Sequence, residues 1–265
     1  LGVNEEKLLE TLQVLPPDAI LAVQNAIPWG GGGRIDGTVV TRSVKDAIVD
    51  RGPKGVPMIA GNNLDEGTLF SYLIPWFFYE MVGEAVAENI LENVDGKQYV
   101  QALKAAYPKD NRTQRFERVW TDLLVRGGAN AAARASAAGP GGWLYRFDLP
   151  VQRLPGVGAT HGAEIAFTFN QFVRELPETA FWYDRNDAAV RQLANDWSNT
   201  IIQFAKTGDP NGAGLPTWPR YTAESRQTLI LDGSPRVMSN LHAVDRARWG
   251  DIESSSSEYM TSTGR

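Results

Sequence analysis

The sequence predicts an α/β fold built on a mainly parallel sheet, and three observations carry that reading. Short apolar runs suited to buried strands occur at Val56-Pro-Met-Ile-Ala60, Trp143-Leu-Tyr-Arg-Phe147 and Gln227-Thr-Leu-Ile-Leu231. Long stretches of helical patterning separate them, as crossover connections require. The first run enters Gly61 and the second is followed by a glycine-rich loop, the kind of strand end where α/β proteins gather function.

From the N-terminus, residues 4–26 read as two short helices. The second opens at Pro16-Pro17-Asp18 and carries Ile20, Leu21 and Val23 as its apolar positions. Pro28-Trp29 and four glycines, 30–33, read as a surface loop. Neither the preceding strand of an esterase oxyanion loop nor the Lys-Ser/Thr of a phosphate cradle accompanies them. From 77 to 138 the pattern is that of a helical insertion with breaks near Val94-Asp-Gly96 and Tyr107-Pro-Lys-Asp110, closed by Gly139-Pro-Gly-Gly142. Residues 186–207 form a long amphipathic helix with Val190, Leu193, Trp197, Ile201 and Phe204 on one face, stopped at Gly208-Asp-Pro-Asn-Gly212. The serine-rich end, 253–265, is expected to be mobile. No internal repeat or long linker divides the chain, so 1–265 reads as part of one domain.

Bulk properties exclude several functions. With 265 residues, 43% of them hydrophobic, the chain can bury a sizeable core. A net charge of −5 and no run of Lys or Arg give no footprint for nucleic acid or an anionic membrane. No apolar stretch approaches the roughly 20 residues that span a bilayer; the richest, Leu73-Ile-Pro-Trp-Phe-Phe-Tyr79, contains a proline and belongs in a pocket or an interface. There is no cysteine, hence no disulfide and no thiol nucleophile, and the compartment stays open. Two histidines and no His-Glu-X-X-His argue against a metal centre, and no cofactor is expected. The start, Leu1-Gly-Val-Asn-Glu-Glu-Lys7, has neither an initiator methionine nor a signal-peptide pattern and reads as processed or truncated. The sequon Asn111-Arg-Thr113 matters only in a secreted chain.

His161, in Gly156-Val-Gly-Ala-Thr-His-Gly-Ala-Glu164, is the candidate general base, because imidazole can take a hydroxyl proton near neutral pH and return it. The other reading is a histidine that hydrogen-bonds its own loop. His242 has no such loop and reads as structural. Upstream, Gly61-Asn-Asn-Leu-Asp-Glu-Gly67 offers Glu66 as the carboxylate that would orient the imidazole, with Asp65 as rival. Both also suit the N-terminal turn of a helix. Glu164, three residues after His161, is placed beside the pair as a cap or buttress of the loop. An acid followed by a histidine is the tail of the nucleophile-acid-histidine order of α/β-hydrolases. The serine is missing: no Gly-X-Ser-X-Gly occurs, and the serine nearest before Glu66, Ser43, lacks flanking glycines. Thr160 is adjacent to the histidine but shares its loop.

Five stretches give the chain a resemblance to the type-B carboxylesterase family, which includes the cholinesterases. They are Ile35-Asp-Gly-Thr-Val39, Val56-Pro57 through Asn63-Leu-Asp-Glu-Gly67, His161-Gly-Ala-Glu164 with Phe167 and Phe169, Phe204-Ala-Lys-Thr-Gly-Asp-Pro-Asn211, and Trp218-Pro-Arg-Tyr221. Their order matches the family's C-terminal half. The resemblance implies the α/β-hydrolase fold, with Glu66 and His161 as acid and histidine of a Ser-Glu-His triad. It places the serine and oxyanion hole in an N-terminal half that would precede Leu1. The expected partner is therefore an N-terminal esterase chain carrying the serine and docked by sheet pairing, since half a sheet would leave an edge and an apolar face unprotected. The expected substrate is a small apolar or aromatic ester. Phe70, Tyr72, Trp76 and Phe77, with Phe181 and Trp182, would line its pocket or else pack the interior. The alternatives are a non-catalytic cholinesterase-like binding or adhesion protein and an inactive truncated fragment.

Overall fold

Four strands form one sheet in the order β1 (Met58–Asn63), β2 (Gly142–Phe147), β3 (Thr228–Leu231) and β4 (Arg236–Met238). The computed structural model describes residues 7–26, 35, 37–42, 47, 50–51, 54–73, 96–122, 136, 138–172, 182–212, 214–222 and 224–241. Trp76, Phe77, Phe181, His242, the glycine run 30–33, the tail 253–265 and much of the expected helical insertion lie outside them. The chain divides into two compact units, Leu1–Thr41 and Arg42–Arg265. The first holds α1 (Leu8–Val14) and α2 (Pro17–Ala26), where the sequence predicts two short helices. In α2, Ile20 and Leu21 are exposed rather than buried.

The second unit contains the sheet. β1 to β3 are parallel, with Met58 opposite Gly142, Asn63 opposite Phe147 and Leu144 opposite Thr228. β4 runs antiparallel to β3 and makes the sheet mixed. It is missed in the sequence because it is short and its outer residues are exposed, although Asp232-Gly-Ser-Pro235 supplies the turn. β1 also runs differently from the expected Val56–Ala60. Val56 is exposed, and the strand continues through Gly61 to the buried Asn62 and Asn63. Gly61 lies mid-strand because a Cβ there would meet the ring of Tyr145, its partner in the register, at 2.3 Å.

Alternation along β2 builds the core. Trp143, Tyr145 and Phe147 face one way, while Leu144 packs on the other side with Tyr221 and Ala60. The first face is covered by α6 (Ala188–Thr207), which presents Val190, Leu193, Ala194 and Trp197, with Ile201 and Phe204 partly buried. Asp187 caps the helix by accepting from the N–H groups of Ala189 and Val190, and Gly208 ends it in the left-handed conformation at φ 77°. Trp197 contacts Tyr145 and Trp218 with ring centroids 4.8 and 6.1 Å apart. The indoles of Trp143, Trp197 and Trp218 are all satisfied. Trp143 Nε1 donates to the Trp218 carbonyl, Trp218 Nε1 to the Leu144 carbonyl, and Trp197 Nε1 to Thr168 Oγ1. The Gly208–Gly212 stop does more than end a helix. Asn211 accepts from Trp218 N–H at 2.7 Å and donates to its carbonyl at 3.1 Å, which seats Trp218 under the sheet.

Between β1 and β2 lie α3 (Thr68–Leu73), α4 (Gly96–Ala106) and a helical stretch over 112–122. Asn111 and Gln114 exchange hydrogen bonds between side chain and backbone at 2.9 Å, a reciprocal cap that starts this stretch and occupies the side chain of the sequon asparagine. After β2 the chain forms the loop that carries His161 and the single turn α5 (Ile165–Thr168).

On α6 the hydroxyl of Thr200 is buried with no hydrogen-bond partner among the described residues. Thr200→Val keeps the shape and removes the unsatisfied group, so equilibrium unfolding in urea should show stability unchanged or raised by about 1 kcal/mol.

Candidate active site

The end of β1 and the histidine loop are joined by hydrogen bonds that begin in the backbone. Asp65 forms a parallel bridge with Thr160, and its N–H donates to the Ala159 carbonyl at 2.9 Å. Side chains complete the junction. Asp65 Oδ2 accepts from Ala159 N–H at 3.0 Å, and the Thr68 hydroxyl lies 2.6 Å from the Val157 carbonyl and 2.8 Å from Thr160 Oγ1. Gly158 makes the approach feasible: its φ is +70°, and a Cβ there would stand 2.2 Å from Asp65 Oδ2. Gly67 has the same role on the opposite side, where a Cβ would strike the backbone of Glu117.

This junction brings Glu66 to His161. Glu66 Oε2 lies 2.7 Å from His161 Nδ1, and Glu66 Oε1 accepts from Asn63 N–H at 2.7 Å. The two side chains differ in access, with the carboxylate 8% exposed and the imidazole 48%. The acid is therefore shielded while the ring reaches the surface. Hydrogen bonding to Glu66 raises the His161 pKa, opposed by partial burial and aided by the charges of Glu66 and Glu164. The bond also fixes Nδ1 as the protonated nitrogen facing the carboxylate and leaves Nε2 as the acceptor.

The other carboxylates are engaged elsewhere. Asp65 points to the loop backbone, and burial raises its pKa. Of the two roles offered for Glu164, cap or buttress of the loop, the structure shows no side-chain cap on α5 and a bond that Glu164 accepts from Asn63 Nδ2 at 2.6 Å. Burial raises its pKa too. Among the described residues no serine or threonine hydroxyl hydrogen-bonds the imidazole; the Thr160 hydroxyl is buried against Thr68. No group of three or more metal-binding side chains occurs among the described residues, and no helix there is long and apolar enough to cross a membrane.

Of the aromatic residues singled out in the sequence, Phe70 stands beside the site, its ring centroid 5.4 Å from that of His161 and 5.0 Å from that of Trp120. Tyr72 is exposed, and Trp182 is buried in the core cluster. Asn63 and Thr68 escape the sequence reading, their only signal being position at a strand end and in the first turn of a helix, whereas the glycines around His161 already mark a loop able to approach another segment closely.

The family model of the carboxylesterases matches residues 2–249. The chain belongs to that family. It is 29% identical over 256 residues to the para-nitrobenzyl esterase of Bacillus subtilis (strain 168), covering 94% of this chain and 50% of that protein. It is 26% identical over 270 residues to the human cocaine esterase, covering 93% and 46%. Among solved structures, a Geobacillus stearothermophilus carboxylesterase matches with a TM-score of 0.71 at 27% identity, over 91% of this chain and 50% of that one. The architecture is thus that of the α/β-hydrolase carboxylesterases, and the chain spans about half the length of the relatives it matches.

The contact of Gly158 with Asp65 supplies a direct test of the junction. Gly158→Ala combines a positive φ with a collision, and thermal unfolding should show a loss of roughly 1–3 kcal/mol or more.

Proposed function

We propose that this chain is part of a serine carboxylic-ester hydrolase and supplies the acid, Glu66, and the histidine, His161, of a Ser-Glu-His triad. The observation that carries the proposal is the 2.7 Å contact between a shielded Glu66 and a His161 that remains accessible. The serine and the oxyanion donors are assigned to an N-terminal esterase chain, a separate polypeptide docked by sheet pairing. In support, β1 pairs only with β2 among the described residues, and the relatives are about twice as long.

In this reading the serine Oγ attacks the ester carbonyl carbon and its proton passes to His161 Nε2. Backbone N–H groups of the partner hold the oxyanion. Collapse expels the alcohol oxygen, which takes the proton from Nε2. Water then attacks the acyl-enzyme, gives a proton to Nε2 and releases the acid, and the serine regains its proton. Glu66 stabilises the imidazolium at both stages. Asp65 and Glu164 hold the loop. Phe70, with its ring against His161, is assigned to the wall of a pocket for small apolar or aromatic esters.

His161→Ala in the assembled protein should lower ester turnover by about 10⁶-fold; near-normal turnover would remove the proposed base. Glu66→Gln takes away the interaction that raises the His161 pKa. The neutral imidazole should then persist to lower pH, so the acid limb of the kcat/KM profile moves down while turnover falls. A limb that stays in place would transfer the acid role elsewhere.

The arrangement of chains is tested by treating native material with a fluorophosphonate probe and taking denaturing mass spectra. A labelled second polypeptide that accompanies this chain is the expected result. A label on one longer polypeptide that includes this sequence would keep the triad and discard the separate chain. No label and no turnover would favour a binding or adhesion protein.

A further inference from the structure

Asn63 ends β1 and is 1% exposed. Its backbone N–H donates to Glu66 Oε1 at 2.7 Å, and its side-chain Nδ2 donates to the Thr160 carbonyl at 2.7 Å and to Glu164 Oε2 at 2.6 Å. One residue therefore touches the inner carboxylate, the outer carboxylate and the peptide that joins Thr160 to His161. We infer that Asn63 is a positioning residue for the Glu66–His161 pair, clamping the histidine turn to the strand that presents the acid. The inference rests on the proposed roles of those two residues.

The chemistry suits an asparagine. A carboxamide nitrogen carries two protons in one plane, enough for one carbonyl and one carboxylate at once, whereas aspartate would have none to give. Besides the Glu66–His161 contact, the other ties between the β1 side and this loop among the described residues act earlier in it. Asp65 holds Ala159, and Thr68 holds Val157 and the Thr160 hydroxyl. The Thr160 carbonyl accepts a second hydrogen bond from Ala163 N–H, but that bond lies within the turn and moves with it. Asn63 is the contact that fixes this carbonyl to the sheet. Its backbone N–H meanwhile occupies Oε1 of Glu66, which turns Oε2 toward Nδ1. Loss of the carboxamide should leave the fold of β1 in place and free the imidazole to drift from its acid.

Among the described residues, the charged groups acting on the His161 ring are Glu66 and Glu164, both carboxylates. Loosening their hold lowers the imidazole pKa. In the assembled protein, Asn63→Ala should reduce kcat by about 10²-fold, the effect of a displacement of about 1 Å at the reacting groups. KM should change little, and the acid limb of the kcat/KM profile should move to lower pH. A limb at its original position, with kcat reduced only in proportion to the folded fraction, would overturn the inference.

Should the variant be recovered only unfolded, side-chain amide exchange in the unaltered protein decides. Both Asn63 carboxamide protons should exchange far more slowly than those of exposed asparagines, and rapid exchange of either would overturn the clamp. Glu66→Gln and His161→Ala are measured in parallel. If these leave turnover intact, the acid and base assignments fail; if they abolish it while Asn63→Ala changes neither kcat nor the limb, only the role of Asn63 fails.

Discussion

The arrangement depends on one junction, where the turn after β1 is tied to the loop after β2. A loop brought into the interior must satisfy its backbone polar groups. Here the N–H and carbonyl of Ala159 and the carbonyls of Val157 and Thr160 all find partners on the β1 side, in Asp65, Thr68 and Asn63. These bonds fix the relative position of two segments far apart in sequence, and the contact between Glu66 and His161 follows. Glycines are needed at 158, where a Cβ would strike the Asp65 carboxylate, and at 67, where it would strike the backbone of Glu117.

Three carboxylates converge on this small region, and their geometry separates their roles. Asp65 faces backbone N–H, Glu164 faces a carboxamide, and Glu66 alone meets the imidazole. Burial raises the pKa of Asp65 and of Glu164, so hydrogen-bond donors are what make their charged forms tolerable. The field of this cluster also reaches Tyr145 on β2, whose phenol is pushed up by burial first and then by Glu164 and Glu66. The Glu66 carboxylate is buried among these groups, while the His161 ring is half-exposed. In the proposed reaction such surroundings would stabilise the imidazolium where it forms.

Beneath the site, the sheet and α6 act as a rigid base. Trp143, Trp197 and Trp218 fill the space between them with every indole N–H paired, and Asn211 anchors Trp218 from the loop after α6. Trp197 also reaches Thr168 in α5, directly after the histidine turn, so the core and the site share a hydrogen bond. Rigid support of this kind suits the catalytic role proposed for Glu66 and His161, because small displacements are costly at reacting atoms.

By itself the sequence determined the α/β class, the positions of β2, β3 and α6, and the two residues that now stand 2.7 Å apart. Those features are written in local patterns: alternation and apolar runs for strands, a 3.6-residue period for the helix, and a histidine and a carboxylate in glycine-bounded turns. The tertiary structure decided between Asp65 and Glu66, which are adjacent and chemically alike, because only the orientation of the turn determines which carboxylate faces the ring and which faces Ala159. It also revealed β4, the mid-strand place of Gly61 and the clamp made by Asn63. Each of these depends on what lies opposite a residue across the fold, and no pattern within a single segment encodes that.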